Sequence, residues 1–233
     1  MAAGIVLDKR LQAVADLVRE GSVVADIGTD HGYLVCHLVA SRKCPRAFAC
    51  DIAQGPLNRA RQTILREGLD ARILTMRCNG LQGIPADAVD DIVIAGMGGD
   101  MIAQIILAWE GSRIAEKRFV LQPMSKPEHL RRVLYREGFM LSKEIAVLCG
   151  RHVYIVMVAQ HIGAGVEISR LFAHTGTLLE REELGEAELA YLRAVQSLCR
   201  KKADGYAKSK DQAHKALEYA MLVQRIEKQC AKG

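Results

Sequence analysis

Aromatic residues and long apolar runs are both scarce in this sequence of 233 residues. Phe, Trp and Tyr make up 5% of the chain, whereas half of it is hydrophobic, so its core must be mainly aliphatic. No uninterrupted apolar run approaches the roughly 20 residues that a membrane-spanning helix needs. Residues 1–10 also lack the apolar segment of a secretory signal. We therefore expect a cytoplasmic protein without a membrane partner.

Patterns that form disulfides or metal sites are also missing from the sequence. Its seven cysteines are odd in number, scattered and without a Cys-x-x-Cys pair, and its seven histidines show no metal-ligand spacing. We expect neither a disulfide framework nor a bound metal. The formal net charge of +5 is mildly basic, which permits a nucleic-acid partner but does not require one.

Over the first 160 residues, short apolar segments alternate with segments of helical periodicity. An amphipathic helix, with Leu7, Leu11, Val14 and Val18 on its apolar face, precedes the first strand. The predicted strands are residues 23–27, 47–51, 72–77, 90–95, 119–123, 140–148 and 152–158. This alternation predicts an α/β protein with a Rossmann-like, largely parallel sheet, helices on both faces and a closing antiparallel strand pair.

Beyond Gln160 the composition changes, because Glu and Lys become frequent and no strand pattern continues. Two segments carry apolar residues at helical spacing, namely Leu189, Leu192, Val195 and Cys199, and then Ala216, Tyr219, Val223, Ile226 and Cys230. The polar residues 205–212 between them suit a turn. The pattern predicts a C-terminal helical hairpin of coiled-coil type. We therefore expect two domains, residues 1–160 and 161–233.

The loop after the first strand lacks the glycine pattern of dinucleotide-binding proteins. Its order is Asp26-x-Gly28-x-x-x-Gly32, whereas the dinucleotide loop is G-x-G-x-x-G. Asp26 and Asp30 would repel a pyrophosphate but attract the ammonium and sulfonium groups of S-adenosylmethionine. We therefore favour S-adenosylmethionine over NAD. The alternative is an ordinary strand-to-helix turn in which Asp30 caps the helix.

The second predicted strand also ends on an acid, Asp51, about 25 residues after Asp26, in line with the offset between such loops. In adenosine-binding α/β folds, an acid at this position accepts hydrogen bonds from the ribose hydroxyls. The alternative is an aspartate that serves only a turn or a helix start. The pairing with Asp26 favours the ribose contact.

Several of these segments resemble a known enzyme family. The segments are 26–34 (DIGTDHGYL), 55–57 (GPL), 94–99 (IAGMGG) and 121–123 (LQP). Together they resemble the class I S-adenosylmethionine-dependent methyltransferases. More narrowly, they are similar to the bacterial tRNA adenine-N1 methyltransferases that act at tRNA position 22. The resemblance extends from about residue 5 to 160, and weakly through the predicted hairpin.

The resemblance implies a cofactor site spread over four strand ends. It implies S-adenosylmethionine contacts from Asp26, Gly28, Thr29, Gly32, Asp51, Ile52, Asn79, Gly80, Ala95, Gly96 and Met97. One position departs from the family, which usually has aspartate where this chain has Asn79. The Asn79 carbonyl can still accept one hydrogen bond from the adenine amino group, although less strongly than a carboxylate.

The implied reaction is methylation of adenine N1 in tRNA, and Asp30 is our candidate catalytic residue. The N1 lone pair lies in the base plane, so no proton must leave first, and a carboxylate would stabilise the cationic product. The (N/D)-P-P-(Y/F) motif of amino-group methyltransferases is absent, and Met97-Gly98-Gly99 stands in its place. The predicted substrate contacts are Tyr33, Gly98, Gly99, Gln122, Pro123, Arg131, Arg200 and Lys201.

Two alternatives stay open at this point. The same cofactor site would also serve a methyltransferase for a protein or a small molecule. A non-catalytic RNA-binding module on the same fold is the other alternative, which the departure at Asn79 keeps open. We expect tRNA as the partner and favour a monomer.

Overall fold

The structure is a computed structural model that describes residues 5–231. Its sheet has seven strands, which follow the predicted apolar segments. They are β1 Val24–Ile27, β2 Ala47–Asp51, β3 Ile73–Arg77, β4 Asp91–Gly98, β5 Arg118–Ser125, β6 Phe139–Cys149 and β7 His152–His161. The order across the sheet is β3-β2-β1-β4-β5-β7-β6. Strand β7 is antiparallel to both of its neighbours, and β1 to β5 are parallel to one another.

Helices connect the strands and cover both faces of the sheet. The α-helices are α1 Lys9–Leu17, α2 Tyr33–Ala40, α3 Gln54–Arg66, α4 Gly99–Leu107, α5 Pro127–Arg136, α6 Arg170–Thr175, α7 Glu186–Ala207 and α8 Ala213–Cys230. The predicted Rossmann-like methyltransferase sheet with a C-terminal helical hairpin is confirmed.

Alternate residues of each strand enter two separate apolar clusters, because successive side chains of a strand point to opposite faces. Val24, Val93 and Val120 pack against α1, α2 and α3 on one face. Ala25 and Ile92 belong to the other cluster, which contains side chains of α4, α5, α7 and α8. This two-sided burial explains why the strands read as continuous apolar runs rather than as polar–apolar alternation.

The hairpin of α7 and α8 joins the second cluster and so shares a core with the sheet domain. Its buried side chains are Tyr191, Leu192, Val195, Cys199, Tyr219, Leu222, Val223 and Ile226. Most of the predicted seam is buried in this way. The turn is shorter than predicted, because α7 continues through Gly205 to Ala207. No helix among residues 5–231 combines the length and the apolar character needed to cross a membrane.

Two segments differ from the sequence-based prediction. Strand β4 does not end at residue 95, as predicted, but continues to Gly98, with irregular register against β5 from Ala95 onward. The chain between β7 and the hairpin contains α6 and a 3-10 turn at Gly176–Glu180, neither of which was predicted. Both are short, so they lack the repeated apolar spacing that identifies longer helices.

Candidate functional site

The carboxyl ends of β1 and β4 enclose a cavity of about 310 Å³, where open parallel sheets bind ligands. Residues of α1, of the β1–α2 loop and of the irregular end of β4 surround it. The predicted site residues that line it are Asp26, Gly28, Thr29, Asp30, Tyr33, Ala95 and Gly96. Arg10, Leu11, His31 and Leu34 complete the lining.

The backbone of the first loop is fixed by the neighbouring strand. The N–H groups of Gly28 and Thr29 donate to the carbonyl of Cys50, at 2.8 and 3.0 Å. Gly28 has φ +82°, and a Cβ there would lie 2.4 Å from Met97 Cε. The positive φ favours glycine at this position, whereas the contact with the flexible end of the Met97 side chain could be relieved by a change of rotamer.

Helix α2 begins without a side-chain cap, because its N-cap is Gly32 in a left-handed conformation. The alternative reading of Asp30 as the helix cap is therefore wrong. A Cβ at Gly32 would lie 3.2 Å from Ala60 Cβ, so this glycine lets α2 start against α3. Gly32 thus shapes the loop but does not line the cavity.

Asp26 is a buried carboxylate at the base of the cavity. Its residue is 6% exposed, and no ion pair reaches it among the residues that the structure describes. The pKa of Asp26 is raised to about 6, chiefly by burial; the Thr29 hydroxyl offsets part of this rise, and the nearby Asp51 carboxylate adds a smaller contribution to it. A cationic ligand would reverse this effect, since an opposite charge nearby favours the carboxylate form.

Thr29 supplies a second buried polar atom beside Asp26. Its Oγ1 is near enough to the Asp26 carboxylate to lower the pKa of that group, but it makes no well-formed hydrogen bond with any of the residues 5–231. Buried polar groups are nearly always satisfied, so an orphaned hydroxyl in a cavity points to a ligand. Arg10 lines the same cavity as Asp26 and Asp30, so the cavity wall carries one guanidinium and two carboxylates. This donor set fits the amino-acid end of S-adenosylmethionine, which carries an ammonium and a carboxylate.

The predicted ribose and adenine contacts lie at the ends of β2 and β3. Asp51 Oδ1 accepts a hydrogen bond from the Ala53 N–H at 2.8 Å, so one carboxylate oxygen serves the turn before α3. Ile52 is 60% exposed, as expected of a side chain that packs on a ligand rather than on the core. These two positions remain predictions.

Asn79 and Gly80 lie beside a second cavity, of about 160 Å³, between the end of β3 and α4. Asn79 lines it together with Met101 and Ile105. Gly80 has φ +62°, and a Cβ there would lie 3.0 Å from Ile105 Cγ2. The cavity has an apolar wall and the side-chain amides of Asn79, Gln82 and Gln104, a combination that suits a flat heteroaromatic ring.

Gln122 organises the end of β4 from within the protein. Its Oε1 accepts from Arg10 Nη1 at 2.6 Å and from the Gly96 N–H at 3.2 Å. The prediction that Gln122 and Pro123 contact the substrate is wrong for this structure, because both are buried. Gln122 instead holds Arg10 and Gly96 in place at the cavity wall.

Gly99 is needed where the start of α4 approaches the β5–α5 connection, and Gly98 lies close to the end of β5. A Cβ at Gly99 would lie 2.4 Å from the Lys126 carbonyl oxygen, and one at Gly98 would lie 3.2 Å from Ser125 Oγ. Backbone of the β5–α5 connection therefore occupies the space on the Cβ side of Gly99, and Gly99 is buried, which disfavours its predicted substrate contact. A substrate contact of Gly98 remains a prediction.

Asp30 stands at the mouth of the cavity. Its backbone has φ +24°, an uncommon conformation for a residue with a side chain. Asp30 Oδ1 accepts a hydrogen bond from Arg59 Nη2, and Oδ2 lies 3.5 Å from His31 Nε2. The His31 ring stacks on Tyr33 with 5.1 Å between ring centroids. Tyr33 is 42% exposed, so one part of its ring faces solvent at the cavity mouth.

The predicted substrate contact of Arg131 is wrong, because its side chain is completely buried. Arg131 Nε donates to Glu144 Oε1 at 2.8 Å, Nη1 to the Ala173 carbonyl at 2.8 Å, and Nη2 to the Tyr191 hydroxyl at 3.2 Å. The residue therefore joins α5, β6, α6 and α7 inside the protein.

Arg200 and Lys201, by contrast, are exposed on α7, so their predicted role stays open. The adjacent Lys202 Nζ lies 4.0 Å from Glu128, which is in the first turn of α5. That turn follows the carboxyl end of β5, so the basic segment of the hairpin lies at the same sheet edge as the cavity.

Sequence reasoning missed Arg10 and Arg59 at this site. Each belongs to an amphipathic helix, where a basic residue on the polar face carries no signal of its own. Only the fold shows that α1 crosses the end of β4 and that α3 passes the first loop.

Comparison with known proteins identifies the fold. A family described as "Methyltransferase domain" matches residues 7–157. The tRNA (adenine(22)-N(1))-methyltransferase of Bacillus subtilis is 38% identical over 154 residues, which cover 66% of this chain and 65% of that protein. The match therefore spans slightly less than two thirds of the length of this relative.

Solved structures match over nearly the whole chain. The crystal structure of the B. subtilis M1A22 tRNA methyltransferase TrmK has a TM-score of 0.84 at 29% identity, covering 97% of this chain and 99% of that one. A putative tRNA (m1A22) methyltransferase of Streptococcus pneumoniae, in complex with S-adenosyl-L-methionine, has a TM-score of 0.81 at 26% identity, with coverages of 97% and 100%. Since the family match covers more than half of the sequence, the chain belongs to the methyltransferase-domain family.

Proposed function

We propose that this protein uses S-adenosylmethionine to methylate N1 of adenine in tRNA, at position 22. The names of its similar proteins support the reaction and the substrate. The structure of a similar protein in complex with S-adenosyl-L-methionine supports the cofactor. Because tRNA is the proposed substrate, we expect the protein to act in the cytoplasm.

The observation that carries the proposal is the buried Asp26 carboxylate, which has no cationic partner among the described residues. In our proposal Asp26 receives the ammonium of the cofactor, Arg10 faces its carboxylate, and Thr29 donates its hydroxyl hydrogen. Asp51 accepts hydrogen bonds from the ribose hydroxyls, and Asn79 accepts one from the adenine amino group. When bound, S-adenosylmethionine supplies a methyl group on a sulfonium, which an in-line nucleophile can displace.

The chain has to align the base with this methyl group and stabilise the product charge. The N1 lone pair attacks the methyl carbon, the carbon–sulfur bond breaks with its electron pair leaving on sulfur, and the adenine becomes cationic. Asp30, at the mouth of the cavity, offers the carboxylate that favours this charge. The exposed part of Tyr33 provides a face on which the base stacks. N1 lies on the pairing edge, so the target base must be unpaired or extruded.

A tRNA also needs contacts away from the reacting base. Arg200 and Lys201 are exposed on the hairpin, and Lys202 next to them approaches the sheet edge that carries the cavity. Phosphate contacts from such residues add affinity that depends strongly on salt. We propose that tRNA lies across this edge and touches both the sheet domain (residues 1–160) and the helical domain (residues 161–233).

Incubation with methyl-labelled S-adenosylmethionine and unmodified bulk tRNA tests the proposal. We expect label in 1-methyladenosine, and none with the Asp26→Ala variant. Label that enters only a protein or small-molecule acceptor would indicate a different substrate. Retention of tRNA without any cofactor binding would indicate a non-catalytic RNA-binding module.

A further inference from the structure

The candidate catalytic carboxylate already has a cationic partner. Arg59 Nη2, on α3, donates to Asp30 Oδ1. Both side chains are accessible, with 47% of the Arg59 side chain and 58% of the Asp30 side chain exposed. Asp30 is the only hydrogen-bond acceptor of the Arg59 guanidinium among residues 5–231.

This ion pair conflicts with the charge that the reaction develops. A carboxylate attracts the methylated adenine cation, but a guanidinium beside the same carboxylate repels that cation over a similar distance. The two effects largely cancel while the pair is intact. Asp30 can therefore act fully only when Arg59 has another anion to bind.

The ion pair of Asp30 and Arg59 can dissociate with little loss of stability. Exposed ion pairs contribute little to stability, because solvent screens them and both side chains lose freedom when they pair. Arg59 is in the middle of a regular helix, so its side chain can swing without backbone movement. Asp30, by contrast, is in the loop whose backbone is tied to β2.

We infer that Arg59 is an RNA contact that exchanges Asp30 for a backbone phosphate beside the target adenosine. This inference rests on the proposed function. An extruded nucleotide brings its own phosphates to the cavity mouth, and a guanidinium binds phosphate through paired, charge-assisted hydrogen bonds. The entering substrate thus removes the cation from Asp30, and the carboxylate becomes available when the adenine is in place. Arg59 is in this sense a positioning residue that couples RNA binding to the charge of the site.

The salt dependence of tRNA affinity, measured with Arg59→Ala, Arg59→Lys and a matched control, tests the exchange. We expect Arg59→Ala to lower the slope of log affinity against log salt by about 1, as for one lost phosphate contact. The same variant should raise KM for tRNA about tenfold, as for one lost charge-assisted hydrogen bond. Its kcat should stay within about twofold of the wild-type value, because Asp30 is then permanently free of its cationic partner. Arg59→Lys should keep the slope.

Arg66→Ala is the matched control, because Arg66 is on the same helix and also pairs with a carboxylate, that of Glu67. It is seven residues away, or about 10 Å along the helix. We expect this variant to keep the wild-type slope, KM and kcat.

Two results would overturn the exchange. If Arg59→Ala lowers kcat as Asp30→Ala does, with KM and the salt slope unchanged, Arg59 merely holds Asp30. If none of these quantities changes, Arg59 takes no part. The wild-type protein in the same assay separates this inference from the proposed function. Failure of the wild-type protein to form 1-methyladenosine refutes the function, whereas wild-type activity with an unchanged slope refutes the exchange alone.

Discussion

Because of Asp26, the affinity for the cofactor should depend on pH. Burial raises the pKa of Asp26 to about 6, whereas a carboxyl in an unfolded chain has a pKa of about 3.9. A cationic cofactor binds the carboxylate form, so its affinity should fall about tenfold per pH unit below pH 6. Titration calorimetry with S-adenosylmethionine from pH 5 to pH 8 measures this. Asp26→Asn should bind weakly at every pH in this range, and a wild-type affinity that does not depend on pH would contradict the assignment.

The same carboxylate costs stability in the absence of cofactor. Between about pH 4 and pH 6 the folded protein binds more protons than the unfolded chain, so the free energy of unfolding falls as pH rises. The loss at neutral pH is on the order of 3 kcal/mol. Asp26→Asn should therefore be more stable than wild type at pH 8 and equal to it at pH 4, as measured by urea denaturation. A variant less stable at pH 8 would show that the carboxylate is satisfied in the folded protein.

Asp30 should matter for turnover rather than for cofactor affinity. Its carboxylate is half exposed at the cavity mouth, away from the buried Asp26. We expect Asp30→Ala to lower kcat for tRNA at least tenfold, as for the loss of one electrostatic contact in the transition state. Calorimetry should show an unchanged affinity for S-adenosylmethionine. Full activity of the variant would remove Asp30 from the mechanism.

Substitution of Asn79 by aspartate should raise the affinity for S-adenosylmethionine. An aspartate there would accept the adenine amino group more strongly than the amide does, so Asn79→Asp should bind S-adenosylmethionine roughly tenfold more tightly. Gln82→Glu is the matched control, because Gln82 lines the same cavity and the change adds the same charge. Equal tightening in both variants would indicate a general effect of charge rather than a contact with adenine.

At the scale of elements, the buried contacts of Arg131 with Glu144 and Tyr191 fix the hairpin to the sheet domain; this group of residues is called the Arg131 joint. Glu144 on β6 accepts from Arg131 through Oε1 and from the Thr177 N–H through Oε2, at 2.7 Å. Gly176 has φ +59°, and a Cβ there would lie 2.0 Å from Glu144 Oε2. The 3-10 turn before α7 therefore closes directly over the buried ion pair.

Removal of one partner from this joint should destabilise the protein strongly. Arg131→Met leaves Glu144 buried without a cation, and we expect a loss of about 3–5 kcal/mol in the free energy of unfolding. Arg136→Met, on the exposed face of the same helix, should change it by less than about 0.5 kcal/mol. Urea denaturation of both variants measures the difference, and similar effects would mean that the joint contributes no more than a surface residue.

Patterns that repeat along the chain predict elements well, and contacts between distant segments are not predictable in the same way. The alternation of strands and helices and the seam of α7 and α8 follow from apolar spacing alone. The irregular end of β4 cannot be predicted in this way, because Gly98 and Gly99 lie against Ser125 at the end of β5 and Lys126 just after it. The burial of Arg131 likewise depends on Glu144 and Tyr191, which no local pattern connects to it.

For the molecule as a whole, the sheet order brings distant sequence segments to one edge. Asp26, Asp51 and Gly96 lie near the carboxyl ends of three adjacent strands, so their convergence could be predicted once the strands were assigned. Arg10 and Arg59 could not be placed at this edge, because their positions depend on how α1 and α3 cross the sheet. The orientation of the hairpin also becomes visible only in three dimensions, through the approach of Lys202 to Glu128.

The central claim is that this edge transfers a methyl group to N1 of adenine 22 in tRNA. The most direct test is methyl transfer from labelled S-adenosylmethionine to two matched tRNA transcripts, one with adenine and one with guanine at position 22, followed by nucleoside analysis. We predict 1-methyladenosine in the first transcript and no label in the second. Equal labelling of both transcripts, or label in any nucleoside other than 1-methyladenosine, would contradict the account.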